Sequence, residues 1–203
     1  MPFYKHEGQL IFFAHVPKCA GTSVTEYLEE RFGKPAFEDR AFRRSPALFP
    51  WTKTSPQHVT VAALERVVPL DFFDHKIAVV RHPIPRLLSV FHFQKRNQKQ
   101  IGKLVSFERW LKSLPTVLAS DPYRFDGHTM PQSVFVPDEA KVFRLEDGLD
   151  ALKIYLDECF GPTSSEKRFG HAKKTRSHLK LKPIHEELIR EIYAEDFARF
   201  GYK

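Results

Sequence analysis

A chain of 203 residues with 42% hydrophobic side chains and 19 Phe is long enough to fill one core and too short for two, so we expect a single domain over residues 1–203. Its net charge of +7 favours an anionic partner or ligand, although charge alone does not separate nucleic acid, sulfated glycan and nucleotide. Two cysteines exclude a disulfide framework, and no run reaches the ~18 apolar residues of a membrane span, so we expect a soluble, cytoplasmic protein.

The first predicted unit is a strand, a tight loop and a helix. The apolar run 10–16 has the length and composition of a buried strand, and a proline ends it. We predict that a helix then begins with Thr22 or Ser23 as its N-cap, and that Glu26 completes a capping box. Gly33 is the expected end of this helix.

The loop of this unit has the properties of an anion site. The first N–H groups of a helix have no partners within the helix and lie at the positive end of its dipole. Lys18 adds a positive charge, small residues let an anion approach the backbone, and two hydroxyl groups can donate. The residues expected to bind a phosphate or sulfate are Pro17, Lys18, Cys19, Ala20, Gly21, Thr22 and Ser23. An ordinary surface turn with a solvated lysine is the alternative.

The order of residues in this loop differs from a Walker A loop, because the lysine precedes the glycine. His-Val-Pro-Lys-Cys-Ala-Gly-Thr-Ser resembles the 5′-phosphosulfate loop of sulfotransferases that use 3′-phosphoadenosine 5′-phosphosulfate (PAPS), especially the carbohydrate branch that includes heparan-sulfate 2-O-sulfotransferases. That branch commonly has Thr and Gly where this chain has Cys19 and Ala20. We expect Cys19 to be a packed thiol rather than a reactive one.

A long basic loop over residues 34–56 follows, which could lie along an acidic acceptor or be a solvated loop packed by its aromatic residues. A helix is predicted within 59–68, ending before Pro69. Gln-His-Val at residues 57–59 aligns with a histidine segment of the family, and the resemblance implies that His58 is the general base and contacts the acceptor. A neutral imidazole is suited to take a proton from a hydroxyl.

A second anion site is predicted where the apolar run 76–80, typical of a central parallel strand, meets a helix. Its sequence, Arg-His-Pro-Ile-Pro-Arg-Leu-Leu-Ser-Val-Phe, resembles the 3′-phosphate motif of the family. The resemblance implies that Arg81 and Ser89 hold the 3′-phosphate, for which a planar guanidinium is suited. His82 stands where the family usually has Asp, so the resemblance does not predict which group pairs with this side chain.

The remaining elements alternate in the same way. We predict a helix from Phe107 that stops before Pro115, a strand over 142–145 that leads into a helix ending at Phe160, and a final amphipathic helix over 183–200 that serves core packing.

Two further segments resemble parts of the family. His-Thr-Met-Pro-Gln resembles its Pro-Gln segment and implies that Gln132 contacts acceptor or sulfate. His-Ala-Lys-Lys-Thr resembles a segment that closes over the nucleotide, which implies that Lys173, Lys174 and Thr175 bind the donor. A nuclear-localisation or nucleic-acid patch is the competing interpretation of this basic run.

Alternating strands and helices predict an α/β fold with a parallel sheet covered by helices on both faces and ligands at the carboxyl ends of the strands. The resemblance implies a P-loop-like sulfotransferase that moves a sulfuryl group from PAPS to a hydroxyl, expected on a carbohydrate, and releases 3′,5′-adenosine bisphosphate. Lys18 and His58 are its expected catalytic residues. No His, Cys and Asp spacing predicts a metal site, and no nucleic-acid partner is expected. The alternatives are a P-loop kinase-like nucleotide-binding enzyme and a non-catalytic polyanion-binding module.

Overall fold

A mixed four-stranded sheet forms the centre of the computed structural model, which describes residues 2–39, 42, 52–163, 169 and 179–203. The strands are β1 (Phe3–His6), β2 (Gln9–Ala14), β3 (His75–Val80) and β4 (Lys141–Arg144), in the order β1-β2-β3-β4. The last three strands are parallel, whereas β1 is antiparallel to β2. The prediction of a fully parallel sheet is therefore wrong for β1. Glu7 and Gly8, with φ of 47° and 85°, form the two-residue turn that folds β1 onto β2.

The two central strands are enclosed on both faces of the sheet. Every residue in 11–14 of β2 and 77–80 of β3 is buried. Consecutive side chains of a strand point to opposite faces, so these apolar runs require cover on each side. The register pairs Ala14 with Ala78 and Val80 with Arg144, which brings the carboxyl ends of β2, β3 and β4 to one edge of the sheet.

Seven α-helices are present among the described residues. They are α1 (Gly21–Phe32), α2 (Val61–Leu64), α3 (Pro83–His92), α4 (Phe107–Ser120), α5 (Asp150–Phe160), α6 (Pro183–Ile192) and α7 (Ala194–Arg199). A π-helical turn, Phe93–Asn97, continues directly from α3. None of the described helices is long and apolar enough to cross a lipid bilayer.

Three predicted helix boundaries are wrong. Helix α4 does not stop before Pro115 but continues to Ser120. Pro115 lies on the exposed face of α4, so its ring stays out of the packed side of the helix. The helix expected within 59–68 is a single turn, capped by the Thr60 hydroxyl, which accepts from the Ala63 N–H. The final helix is broken at Tyr193, so α6 and α7 are separate elements.

Two hydrophobic clusters hold these elements together. The first surrounds the sheet and includes side chains of α1 and α5, such as Tyr27 and Leu152. The second joins α3, α4, α6 and α7 through residues such as Leu87, Leu111 and Ile189. Burying each such side chain stabilises the fold by roughly 1.5–3 kcal/mol. The second cluster therefore fixes α3, and with it the turn that follows β3, relative to the C-terminal helices.

Candidate active site

The loop after β2 carries backbone strain that points to a functional site. Lys18 and Ala20 have φ of 66° and 62°, a left-handed conformation that costs non-glycine residues about 1–3 kcal/mol each. Turns that contain left-handed residues direct neighbouring backbone N–H groups inward and create anion-binding concavities. The predicted anion loop thus adopts a geometry that suits an anion, at the carboxyl edge of the sheet.

Helix α1 begins earlier than its sequence predicts. Its first hydrogen bond runs from the Val24 N–H to the Ala20 carbonyl, and Ala20 is the N-cap, with no side-chain hydrogen bond. The predicted N-cap at Thr22 or Ser23 and its capping box are wrong, because Ala20 in the left-handed region already turns the chain into the helix. The N–H groups of Gly21, Thr22 and Ser23 consequently have no acceptor within the helix.

Close packing around the loop explains two of its residues. A Cβ atom on Gly21 would lie 1.9 Å from His15 Nε2, so only glycine lets this imidazole pack against the start of α1. The Cys19 thiol is buried and donates to Gln132 Oε1 at 3.1 Å. Burial raises the pKa of the Cys19 thiol to about 12, which agrees with the expected packed thiol.

Two positive charges converge at this edge of the sheet. The Lys18 ammonium lies 4.1 Å from the centre of the Phe93 ring. Burial lowers the pKa of Lys18, and the Arg81 charge lowers it further. Within the described parts of the chain, neither Lys18 nor Arg81 forms an ion pair with a carboxylate. A bound anion would relieve the repulsion between these two cations.

Gln132 connects the anion loop to the end of β3. Its side-chain amide accepts from the Arg81 N–H at 2.9 Å and donates to the Arg81 carbonyl at 2.7 Å, which extends the sheet pattern beyond β3. The same Gln132 oxygen accepts from Cys19. Gln132 is 0% exposed. Its contacts thus fix the backbone positions of Arg81 and of the loop.

The turn after β3 has its own cap. His82 Nδ1 accepts from the Ile84 N–H at 3.2 Å, which is the capping role that Asp commonly fills at a helix start. His82 can therefore replace Asp without loss of the cap. Ser89 lies in α3 and is 6% exposed. Arg86 is fully buried and donates to the carbonyls of His128 and Met130, so it supports the fold there.

The structure places His58 beside the anion loop. It ends a short 3₁₀ turn, Pro56–His58, and is 8% exposed. Its Nδ1 lies 3.1 Å from the His15 carbonyl, and its Nε2 lies 3.4 Å from His128 Nε2. Burial lowers the pKa of His58 despite the opposing field of Asp126, so its ring is neutral at neutral pH. A neutral buried imidazole within the field of the Lys18 ammonium is suited to accept a proton.

A strained turn positions residues that the sequence analysis missed. Phe125, Asp126 and Gly127 have φ of 61°, 59° and 70° in succession. The Asp126 carboxylate accepts from the Ser55 N–H at 2.6 Å and from the Ser55 hydroxyl at 2.7 Å, which ties this turn to the His58 segment. Strained backbone of this kind clusters at functional sites.

The fold also creates a ligand spacing that the sequence did not indicate. Ligand atoms of His58, Asp126 and His128 lie within 4.8 Å of one another. The spacing of residues along the sequence predicts no metal site, and this group arises only in the folded chain. The three residues come from distant segments, so no linear motif could show their proximity.

The segment 128–133 is irregular but tightly held by α7 and the residue before it. Tyr193 donates to the Thr129 carbonyl at 2.7 Å. The buried Asp196 carboxylate accepts from the N–H groups of Gln132 and Ser133, each at 2.9 Å. The prediction that this C-terminal region serves core packing thus omits a polar role. The sequence signal for this polar role is Asp196, an aspartate on the same helix face as the apolar residues Tyr193 and Phe197.

The predicted site residues are brought together in part. Lys18, Cys19, His58, Arg81 and Gln132 lie around one edge of the sheet, connected by the contacts above. Lys173, Lys174 and Thr175 lie outside the described residues, as do most of the basic residues of 34–56.

Comparison with known proteins gives one match. The family model described as "Sulfotransferase family" matches residues 2–203, which is nearly the whole chain. No curated protein and no solved structure matches the chain significantly.

Proposed function

Because the chain belongs to the sulfotransferase family, we propose that it transfers a sulfuryl group from PAPS to an acceptor hydroxyl, which we expect on a carbohydrate. One observation supports this proposal most strongly. Lys18 and Arg81 place two cations, without carboxylate partners among the described residues, beside a helix start at the ends of two adjacent parallel strands. That arrangement suits a donor with two separate anionic groups.

Donor binding is assigned to the two anion sites. The loop Pro17–Ser23, including Lys18 and the N–H groups at the start of α1, binds the 5′-phosphosulfate in this proposal. Arg81 and Ser89 hold the 3′-phosphate, and the residues proposed to close over the nucleotide are Lys173, Lys174 and Thr175. PAPS supplies the sulfuryl group and leaves as 3′,5′-adenosine bisphosphate.

The proposed chemistry uses two side chains. His58 takes the proton of the acceptor hydroxyl, for which its lowered pKa keeps it in the basic form at neutral pH. Lys18 and the loop N–H groups stabilise negative charge on the leaving phosphate oxygen. Gln132 is assigned to positioning Arg81 and Cys19 rather than to contact with the acceptor, because it is buried and its amide is occupied by protein groups.

Thermal stabilisation by 3′,5′-adenosine bisphosphate, ADP and ATP, without metal and at matched concentrations, tests the donor assignment. A ligand stabilises the folded state in proportion to RT ln(1 + [L]/Kd), so the bisphosphate should raise the melting temperature most. Arg81→Ala should weaken its binding about tenfold or more, since a charge-assisted contact is lost. Arg109→Ala, on the exposed face of α4, is the matched control.

Two outcomes contradict the proposal. Equal shifts in melting temperature with all three nucleotides would contradict a dedicated 3′-phosphate site. A preference for ATP that requires magnesium would favour a kinase-like enzyme. If the bisphosphate binds best, transfer of radiolabelled sulfate from PAPS to a panel of polysaccharides and small alcohols then tests the acceptor class.

A further inference from the structure

Three buried polar side chains form a hydrogen-bonded chain that ends near the anion loop. Gln94 Nε2 lies 2.8 Å from His128 Nδ1, and His128 Nε2 lies 3.4 Å from His58 Nε2. His58 Nδ1 in turn lies 3.1 Å from the His15 carbonyl. Gln94 comes from the π-helical turn after α3, a distortion found often at functional sites, and His128 follows the strained turn 125–127.

Backbone carbonyl oxygens at both ends of this hydrogen-bonded series determine which ring nitrogens of His128 and His58 carry protons. Gln94 Nε2 also lies 3.4 Å from the Phe125 carbonyl oxygen, which can only accept a hydrogen bond, so this end of the amide must be its NH2 group. His128 Nδ1, which lies against the same NH2 group, must therefore accept a hydrogen bond from Gln94. A neutral His128 then carries its proton on Nε2. At the other end, the His15 carbonyl can only accept, so His58 carries its proton on Nδ1. The lone pair of His58 therefore lies on Nε2, facing the His128 N–H.

We propose that His128 and Gln94 are positioning residues that hold His58 in the tautomer whose Nε2 can accept a proton. This inference rests on the proposed function for its catalytic meaning. The His128 N–H makes a long contact, at 3.4 Å, which an acceptor hydroxyl can displace. The hydroxyl proton then moves to His58 Nε2 and the acceptor oxygen forms its bond to sulfur. The bond from sulfur to the leaving phosphate oxygen breaks, and that oxygen keeps the electron pair.

A metal ion on the same residues fits the hydrogen bonds less well. Coordination by both Nε2 atoms would require a lone pair on His128 Nε2, whereas the Gln94 amide places the proton there. The Asp126 carboxylate is already engaged by Ser55. The groups that face the imidazole pair are Lys18 from the anion loop, His15 from the residues just before it and Asp126 from the strained turn.

Nitrogen-15 NMR of the imidazole rings in the full chain, without donor or acceptor, tests this inference independently of sulfuryl transfer. We expect a protonated Nδ1 in His58 and a protonated Nε2 in His128 at neutral pH. Either ring in the opposite tautomer overturns the inference. One equivalent of zinc should leave both rings unchanged, and a joint shift of both would identify a metal site instead.

Gln94→Glu is designed to reverse the direction of the hydrogen bond between residue 94 and His128. A carboxylate can only accept, so His128 should move its proton to Nδ1 and leave two facing Nε2 lone pairs that bind a proton between them. The acid limb of the pH profile of kcat/KM should move to higher pH by about one unit, with nucleotide affinity unchanged within about twofold. Gln100→Glu, on an exposed residue, is the control.

Unchanged tautomers in a folded Gln94→Glu protein would overturn the inference, as would an unchanged pH profile. If that protein does not fold, Gln94→Met removes the amide with a side chain of similar size and should leave His128 in a mixture of tautomers. The outcomes also separate the two proposals. Absence of sulfuryl transfer with the expected tautomers counts against the proposed function alone, whereas transfer with the opposite tautomers counts against this inference alone.

Discussion

The anion loop, residues 17–23, and the segment 124–133 both reach the same edge of the sheet, but they are held there differently. The loop is shaped by its own backbone, through positive φ at Lys18 and Ala20 and the start of α1 directly behind it. The segment has little regular structure, and side chains from α3 and α7 hold its carbonyl and N–H groups. The loop therefore offers backbone donors to a ligand, whereas the segment presents side chains in fixed positions.

In the function proposed above, this contrast separates donor binding by the loop from proton transfer by the imidazole of His58, which the segment contacts through His128. Both depend on His15, which packs against Gly21 and accepts from His58 through its carbonyl. A substitution in one of the two regions should therefore change nucleotide affinity, turnover and the free energy of unfolding by different amounts.

The largest difference between the effect on turnover and the effect on nucleotide affinity is expected for His58→Ala. Loss of a general base lowers kcat by about 10²–10⁴-fold, while the affinity for 3′,5′-adenosine bisphosphate should stay within about twofold. Steady-state kinetics and calorimetric titration give the two values. His6→Ala, at the opposite end of the sheet, controls for loss of an imidazole. A fully active His58→Ala protein would remove this residue from the mechanism.

Asp196→Ala should break the anchoring of the segment. It leaves the buried N–H groups of Gln132 and Ser133 without their acceptor, each at a cost of about 1–3 kcal/mol, so the free energy of unfolding should fall by about 3 kcal/mol. Urea denaturation measures this change. Glu195→Ala, on the neighbouring exposed residue, should change stability by less than about 0.5 kcal/mol. Equal effects of both variants would contradict the anchoring role.

Gly21→Ala should disturb the loop through a single methyl group. Its Cβ would lie 1.9 Å from His15 Nε2, so the ring must shift, and we expect a loss of about 1–3 kcal/mol in stability with weaker nucleotide binding. Gly102→Ala is the control, since its Cβ would meet Val105 at an ordinary 3.5 Å. Adding His15→Ala should restore part of the stability of Gly21→Ala, and no recovery would rule out this clash as the cause.

Acidification should have the most gradual effect, spread over about two pH units. Burial lowers the pKa of His15 well below 6.5 and also lowers that of His58, so the unfolded chain binds more protons than the folded one below about pH 6.5. The free energy of unfolding should therefore fall as the pH drops from about 7 to about 5, by at most about 1.4 kcal/mol per pH unit for each histidine. Urea denaturation at several pH values measures this slope, which His58→Gln should reduce. A slope that His58→Gln leaves unchanged would contradict a contribution from this ring.

Local patterns were sufficient for much of the fold. The apolar runs that became β2 and β3 and the helix starts near Gly21 and Pro83 follow from hydrophobic periodicity and from turn residues, which act over a few neighbours. Strand β1 was missed because Phe-Tyr-Lys-His is half polar and becomes a strand only when paired with β2. The extent of α4 was misjudged because an exposed face tolerates Pro115.

The sequence alone indicated the anion loop with Lys18 and the strand that ends at Arg81, because each belongs to a short contiguous pattern with a clear chemical preference, and the family resemblance added His58 as the candidate base. Only the tertiary structure decided which polar groups meet across the chain. The contacts of His58 with His128, and of Asp126 with Ser55, join residues far apart in sequence. Their physical basis is burial, since a polar group that leaves water must find a partner wherever the packed fold provides one.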